Sequence, residues 1–240
     1  MGTIPMKLKN RKEIAEGTMQ FFLEKPAGFD FKAGQAMEVK LNNPPETDDE
    51  GNARAFSIAS APHEPDIMFA TRMRDTAMKR CLKTCPFGTV VEVDGPWGDL
   101  KLHSRAQRPA VFLAGGIGIT PFRSMALDAA KNKLPHKIWL FYSNRRPEDA
   151  AFLEDLMRAE KENPNFKLVA TMTEMEKSKR EWKGKRGFVD KAMLAEAIPD
   201  LNEPIYYIAG PAGMLNAMRK MLLEAGVNED DIRAEEFAGY

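Results

Sequence analysis

The sequence has few of the features that mark several common classes of protein. Two of its 240 residues are cysteine, Cys81 and Cys85, too few for a four-ligand zinc or iron–sulfur site within the chain. We expect both to be ordinary helix residues and not a disulfide. No apolar run approaches the ~20 residues of a membrane helix, and the first residues lack the apolar segment of a signal peptide. A cytoplasmic protein without a membrane span is therefore expected.

An excess of charge of one sign is also missing. The 35 Lys and Arg residues balance 35 Asp and Glu residues, which argues against a large basic surface for nucleic acid. The three histidines, His63, His103 and His136, show neither metal-ligand nor nucleophile spacing, so no metal site is predicted. Hydrophobic residues at 43% and charged residues at 29% are typical of a globular protein of this length with two domains.

Two different patterns of apolar residues divide the chain. Up to about residue 100, short runs that alternate apolar and polar residues lie between Gly and Pro positions, which predicts a small antiparallel β-barrel or sandwich. After Pro109, near-continuous apolar runs alternate with helical patterns, which is typical of a parallel sheet flanked by helices on both faces. We predict one domain over 1–105 and a second, α/β domain over 106–240. The predicted strands are 19–23, 36–41, 54–60, 66–72, 89–94, 110–114, 137–142, 166–171, 205–209 and 232–237, and the predicted helices are 121–131, 148–161, 190–197 and 212–225.

The strongest local signal is a glycine-rich turn, Gly115–Pro121, directly after a predicted buried strand. Thr120 is expected to be the N-cap of the next helix and Pro121 its first residue. Glycines let the backbone approach a ligand closely, and the free N–H groups of a helix start favour an anion such as a pyrophosphate. A purely structural turn is the alternative interpretation.

A second turn of the same kind follows another apolar strand, at Gly210-Pro211. Ligands of open α/β sheets gather at the carboxyl ends of the strands, so the two turns are expected to line one crevice. A simple strand-to-helix connection is the alternative.

Four motifs together resemble the ferredoxin–NADP(+) reductase-like superfamily over essentially the whole chain. They are Arg54–Ser60, Gly95–Gly98, Gly115–Pro121 and Gly210-Pro211, in that order. The family pairs a flavin-binding antiparallel barrel with an α/β domain for NAD(P)H. The resemblance therefore implies FAD, with FMN less expected, bound by residues 1–105, and NADPH or NADH bound by residues 106–240. The chain departs from the common pattern at Ala209, where many members carry Cys.

The resemblance also implies roles for individual residues on the flavin side. Arg54 is expected to pair with the flavin phosphate, Phe56 to stack on the isoalloxazine ring, and Ser57 to hydrogen-bond near flavin N5. A C-terminal aromatic residue, Phe237 or Tyr240, is expected to cover the opposite face of the flavin, the alternative being that it packs into the core. The expected flavin contacts are Arg54, Ala55, Phe56, Ser57, Thr71, Arg72, Met73 and Thr76.

On the nucleotide side, Ser143, Arg145 and Arg146 follow a predicted strand where the family holds the adenosine ribose. They are expected to contact a 2′-phosphate, which favours NADPH, although loop arginines are commonly just exposed. The expected nucleotide contacts are Gly115, Gly116, Gly118, Ile119, Thr120, Pro121, Ser143, Arg145, Gly210, Pro211 and Met214.

The function implied by the resemblance is hydride transfer between NAD(P)H and bound FAD, a reaction that requires no paired acid and base. Electrons would then pass to a separate acceptor such as ferredoxin, flavodoxin, an oxygenase or haem component, or a small molecule. Two alternatives stay open. The chain could be an NAD(P)H:flavin reductase that uses flavin as a substrate, or a non-catalytic subunit that senses flavin or dinucleotide.

Overall fold

The computed structural model describes residues 2–237, which form twelve strands and five α-helices. The strands are β1 Ile4–Ala15, β2 Thr18–Glu24, β3 Ala36–Leu41, β4 Ala53–Ser57, β5 Asp66–Arg72, β6 Val90–Trp97, β7 Ala110–Gly115, β8 Ile138–Asn144, β9 Phe166–Met172, β10 Lys185–Arg186, β11 Ile205–Gly210 and β12 Ile232–Glu236. The helices are α1 Ala77–Thr84, α2 Ile119–Lys131, α3 Leu153–Glu162, α4 Lys191–Ala197 and α5 Ala212–Glu224. None of these helices is long and apolar enough to cross a membrane.

The first six strands form an antiparallel sheet in the order β4-β3-β6-β1-β2-β5. Its edge strands meet, because the Ala59 N–H just beyond β4 donates to the Met68 carbonyl of β5 at 2.7 Å. The Phe56 ring of β4 also stacks on the Phe69 ring of β5, with centroids 4.6 Å apart. The sheet therefore curls into the predicted barrel, around its own buried apolar core.

The second sheet is parallel throughout, in the order β10-β9-β8-β7-β11-β12. All six residues of β7 and all six of β11 are buried, because α2 and α3 cover one face of the sheet and α4 and α5 cover the other. This is the α/β architecture predicted from the pattern of apolar residues after Pro109.

Helix α2 joins the two sheets through a buried arginine. The Arg123 guanidinium donates to the Ala59 carbonyl at 2.8 Å and to both carboxylate oxygens of Glu64, at 2.8 and 3.1 Å. It also donates to Asp155 of α3 at 2.8 Å. The buried positive charge of Arg123 is therefore paired with carboxylates from both sheets' segments, Glu64 and Asp155. The segment that continues from β4 is thereby fixed to the helix that follows β7.

Several local predictions were wrong. The longest strand, β1, was not predicted, and Cys85 caps the end of α1 in an extended conformation rather than lying in a helix as Cys81 does. The predicted helix 148–161 is a short 3-10 turn followed by α3, which begins after Phe152 at a φ of 59°. The strand predicted over 54–60 ends at Ser57, where the chain turns toward α2.

Candidate functional site

A cavity of about 340 Å³ opens on the barrel beside the ends of β4 and β5. We call it the barrel cavity. Most of the expected flavin contacts line it, together with Glu50, Arg74, Lys79 and Ile117. The expected residues in the lining are Arg54, Ala55, Phe56, Ser57, Thr71, Arg72, Thr76 and Phe237. Met73 lies outside it and packs partly buried against the barrel core.

Two hydroxyl groups in the barrel cavity have no hydrogen-bond partner among residues 2–237. The Ser57 Oγ and the Thr76 Oγ1 are both buried and unpaired there, although a buried hydroxyl without a partner costs about 1–3 kcal/mol. Such groups are retained where a ligand satisfies them. The barrel cavity therefore suits a ligand with several polar atoms along its length, and a flavin with its ribityl chain meets that condition.

The barrel cavity also carries an excess of positive charge. Among the described residues, four cationic side chains line it, those of Arg54, Arg72, Arg74 and Lys79, against the single carboxylate of Glu50. Burial lowers the pKa of Lys79, and the nearby Arg74 and Arg54 lower it further, while Glu50 acts in the opposite direction. An anionic ligand would relieve this repulsion, so the site favours a phosphate-bearing molecule.

A second cavity, of about 360 Å³, lies at the carboxyl ends of the parallel strands, and we call it the nucleotide cavity. Its position is the one where ligands of open parallel sheets bind. The expected residues that line it are Gly115, Gly116, Ser143, Arg145, Pro211 and Met214. Ala209, where many family members carry Cys, is fully buried and lines neither cavity.

The two cavities meet. Arg72, at the end of β5, lines both of them. Gly116 lines the nucleotide cavity, whereas its neighbour Ile117 lines the barrel cavity. Two ligands that fill the cavities would therefore approach each other across Arg72 and this turn.

The glycine-rich turn is built differently from the prediction. Gly116–Gly118 form a 3-10 turn and α2 begins at Ile119, so Thr120 is not the N-cap and Pro121 is not the first helical residue. The Thr120 hydroxyl instead donates to the Ile117 carbonyl at 3.0 Å. Only the first residues of the turn, Gly115, Gly116 and Ile117, therefore line a cavity. Five residues expected to contact nucleotide lie outside both linings: Gly118, Ile119, Thr120, Pro121 and Gly210.

Gly118 is required for packing. A Cβ at this position would lie 2.2 Å from the carbonyl oxygen of Ala209 and 2.7 Å from the backbone nitrogen of Gly210. No side chain fits there, because the atoms in the way belong to the backbone of β11. The glycine brings the two turns together, and it does not form a wall of either cavity.

The arginines after β8 surround one buried carboxylate, that of Asp149. Arg146 donates to it at 3.0 and 3.1 Å and reaches Glu16 of the barrel at 2.7 Å. Arg145 contacts it at 3.4 Å with half of its side chain exposed, and Arg72 lies 3.7 Å away. Burial acts to raise the pKa of Asp149, but the hydrogen bond from Arg146 and the surrounding arginines lower it. Arg146 therefore links the second domain to the barrel through Glu16, whereas Arg145 lines the nucleotide cavity.

Residues missed by the sequence analysis complete the nucleotide cavity: Asn144, Thr173 and Phe188. Phe188 has 79% of its surface exposed, which is unusual for an aromatic ring that borders a polar turn. The side-chain amide of Asn144 is buried, and no described residue hydrogen-bonds to it. No sequence spacing marks these residues, since Asn144 ends β8, Thr173 follows β9 and Phe188 lies after β10.

The C-terminal segment reaches the barrel cavity. The Phe237 N–H donates to the Gly210 carbonyl at 3.1 Å, and the residue lines that cavity. The other expected aromatic, Tyr240, lies outside the described residues. Within residues 2–237, no three His, Cys, Asp or Glu side chains are grouped as metal ligands.

Comparisons with known proteins agree with this arrangement. Residues 112–220 match the family model of the oxidoreductase NAD-binding domain. The flavohaem-like FAD/NAD-binding domain of nitric oxide dioxygenase from Vibrio cholerae has the same fold, with a TM-score of 0.82 and 18% identity over 99% of both chains. A ferredoxin NADP+ reductase from Neisseria gonorrhoeae superimposes with a TM-score of 0.80 and 21% identity, over 98% of this chain and 99% of that one. The chain therefore shares the two-domain fold of the ferredoxin–NADP(+) reductase-like superfamily, and its residues 112–220 match the oxidoreductase NAD-binding domain.

The curated proteins that are similar in sequence are longer than this chain. The glycine betaine monooxygenase reductase subunit of Chromohalobacter salexigens is 28% identical over 92% of this chain and 60% of its own length. One component of the Na(+)-translocating NADH-quinone reductase of Methylococcus capsulatus is 28% identical over 78% of this chain and 49% of its own length. The chain thus spans about half to three-fifths of these relatives.

Proposed function

We propose that the protein is an NAD(P)H-dependent flavoprotein oxidoreductase that binds FAD in the barrel cavity and NAD(P)H in the nucleotide cavity. The observation that supports this most is the meeting of the two cavities at Arg72 and the Gly116–Ile117 turn. When bound, a flavin accepts two electrons from a reduced nicotinamide and passes them on singly or as a pair. Everything else in the reaction depends on how the chain holds the two molecules.

On the flavin side, we assign Arg54, Arg72, Arg74 and Lys79 to the phosphates, because these cations line one cavity with a single opposing carboxylate among the described residues. The unpaired hydroxyls of Ser57 and Thr76 would hydrogen-bond the polar edge of the flavin and its ribityl chain. Phe56 and Phe237 supply the apolar walls, and Tyr240 stays a prediction for the same role.

On the nucleotide side, the partly exposed backbone of Gly116 would let the pyrophosphate approach closely. The exposed ring of Phe188 is well placed to stack on the adenine. Within residues 2–237, no carboxylate lines this cavity, whereas Arg72, Ser143 and Arg145 do. A 2′-hydroxyl is usually held by a carboxylate and a 2′-phosphate by a cation, so we propose a preference for NADPH.

The electron acceptor is proposed to lie outside the two domains. Two of the similar proteins are named as reductase components of oxygenase systems, the glycine betaine monooxygenase reductase subunit and the terephthalate 1,2-dioxygenase reductase component of Comamonas sp., the latter 24% identical over 87% of this chain. An oxygenase component or a small iron–sulfur protein is the acceptor class that we favour. We also predict a cytoplasmic location.

The proposal is tested with the purified protein reconstituted with FAD and then desalted. We expect FAD to stay bound, and the loaded protein to reduce an artificial dye with NADPH faster than with NADH. Replacing Arg145 by Gln should narrow the difference between the coenzymes. Arg180→Gln is the matched control, because Arg180 lines neither cavity. A chain that binds FAD but reduces no dye with either coenzyme would be the non-catalytic sensor instead.

A flavin reductase is the second candidate, and one observation favours it. Acidic side chains already contact Arg54 and the start of α1, where a flavin phosphate would bind. Weak retention of flavin would follow. Loss of FAD on desalting, together with NADPH-dependent reduction of free flavin, would support this candidate over the first.

A further inference from the structure

The loop before β4 carries a short acidic segment, residues 46–50, which we call the acidic loop. Its sequence is Glu-Thr-Asp-Asp-Glu. The Asp48 carboxylate accepts the backbone N–H of Ala77, at the start of α1, at 2.6 Å. The neighbouring cap residue Thr76 makes no side-chain capping bond of its own, so Asp48 supplies the anion at this helix start.

The same loop engages the arginine of the barrel cavity. The Glu50 carboxylate accepts from Arg54 Nη2 at 2.6 Å, and the Glu50 carbonyl accepts from Arg54 Nη1. Asp48 lies 3.9 Å from the same guanidinium. Both terminal nitrogens of Arg54 are therefore bonded to the acidic loop or to the backbone beside it.

The acidic loop is anchored from its other end. The Glu46 carboxylate receives two hydrogen bonds from Arg80 of α1, at 2.9 and 2.6 Å. Asp49, between Asp48 and Glu50, is exposed, and its side chain forms no hydrogen bond or ion pair with any residue that the structure describes. The loop thus presents three carboxylates to specific donors, and a fourth, that of Asp49, points to solvent.

Carboxylates and phosphates are interchangeable partners for an arginine fork and for the amides of a helix start. Arg54 and the start of α1 are the groups that the proposed function assigns to the flavin phosphates. We propose that Asp48 and Glu50 compete with those phosphates, so that the acidic loop sets the affinity of the site for phosphorylated flavins and the rate at which they exchange. This inference rests on the proposed function, because it requires flavin to bind in the barrel cavity.

The test uses the flavin-free protein and measures dissociation constants for FAD, FMN and riboflavin by fluorescence titration. The variants are Asp48→Asn and Glu50→Gln. Each keeps an oxygen that accepts the same hydrogen bond, so the loop is expected to fold as before, which a thermal melt checks. We expect each variant to bind FAD and FMN at least about fivefold tighter, from the loss of one negative charge near the phosphates. Riboflavin, which has no phosphate, should bind as it does to the wild type.

Asp49→Asn is the matched control, since it removes the same charge from the same loop without removing a contact. Its affinity for FAD should change less than twofold. FAD affinity that is unchanged or weaker in both Asp48→Asn and Glu50→Gln would overturn the inference and make the two carboxylates structural caps. An equal gain for riboflavin would overturn it as well, because the effect would not act on the phosphates. A wild-type chain that binds none of the three flavins fails the proposed function itself, and this inference with it.

Discussion

Gly118 offers a sharp test of how the two ligand-binding turns are held together. In a Gly118→Ala protein, the new Cβ would lie 2.2 Å from the Ala209 oxygen and 2.5 Å from the Ala209 carbonyl carbon. An ordinary contact requires the start of α2 and the end of β11 to separate by about 1 Å, which a closely packed interior resists. The free energy of unfolding should fall by about 3 kcal/mol, the upper part of the range for overpacking. For a chain of this size, the melting temperature should fall by roughly 6–12 °C.

Thermal unfolding in the absence of any nucleotide is the assay, because the clash lies within the protein. Gly213→Ala is the matched control. A Cβ at Gly213, in the first turn of α5, meets no described atom within 4 Å, so this variant should melt with the wild type or slightly above it. If Gly118→Ala melts like Gly213→Ala and alters only coenzyme binding, the packing explanation is refuted and Gly118 is a ligand contact.

Two further predictions concern aromatic and titrating groups. Phe188→Ala should raise the KM for NADPH several-fold with little change in kcat, as expected for a stacking platform. Phe87→Ala removes another exposed ring that lines neither cavity, so it should leave both constants unchanged. Equal effects of the two variants would reject the stacking role. Burial, together with the charges of His136 and nearby arginines, lowers the pKa of His103 to about 4 from 6.5. The unfolded chain therefore takes up this proton first as the pH falls, and the protein should lose about 1–2 kcal/mol of stability between pH 6.5 and 4. His103→Gln should flatten that part of the stability curve, and an unchanged curve would contradict the assignment.

The fold was predictable where the pattern is local. The strands Ala36–Leu41 and Asp66–Arg72 lie at the predicted positions, because the alternation or run of apolar residues records burial directly. β1 escaped prediction because only Met6 and Leu8 of its twelve residues are fully buried. Its second half is polar, and pairing with β2 and β6 holds it in place.

The candidate site was predictable in part, for the same reason. The glycine-rich turn is a contiguous signal, so its place at the end of β7 followed from the sequence. The register within it did not, since Gly116–Gly118 form an additional turn that moves the start of α2 to Ile119. Contacts between distant parts of the chain left no pattern to find. Asp149 forms ion pairs with Arg72 of the barrel and Arg146 of the second domain. Asp48 of the acidic loop accepts a hydrogen bond from α1, which lies 29 residues away in the sequence.

The central claim is that flavin and nicotinamide occupy two cavities that meet at Arg72. The most direct measurement is anaerobic mixing of the FAD-loaded protein with NADPH or NADH while the visible absorbance of oxidised flavin is followed. We predict that one equivalent of coenzyme bleaches one equivalent of flavin, and that deuterium at the transferred position of the nicotinamide slows the bleaching. Protein that holds FAD and binds coenzyme, yet keeps its oxidised flavin spectrum with both, would contradict the account.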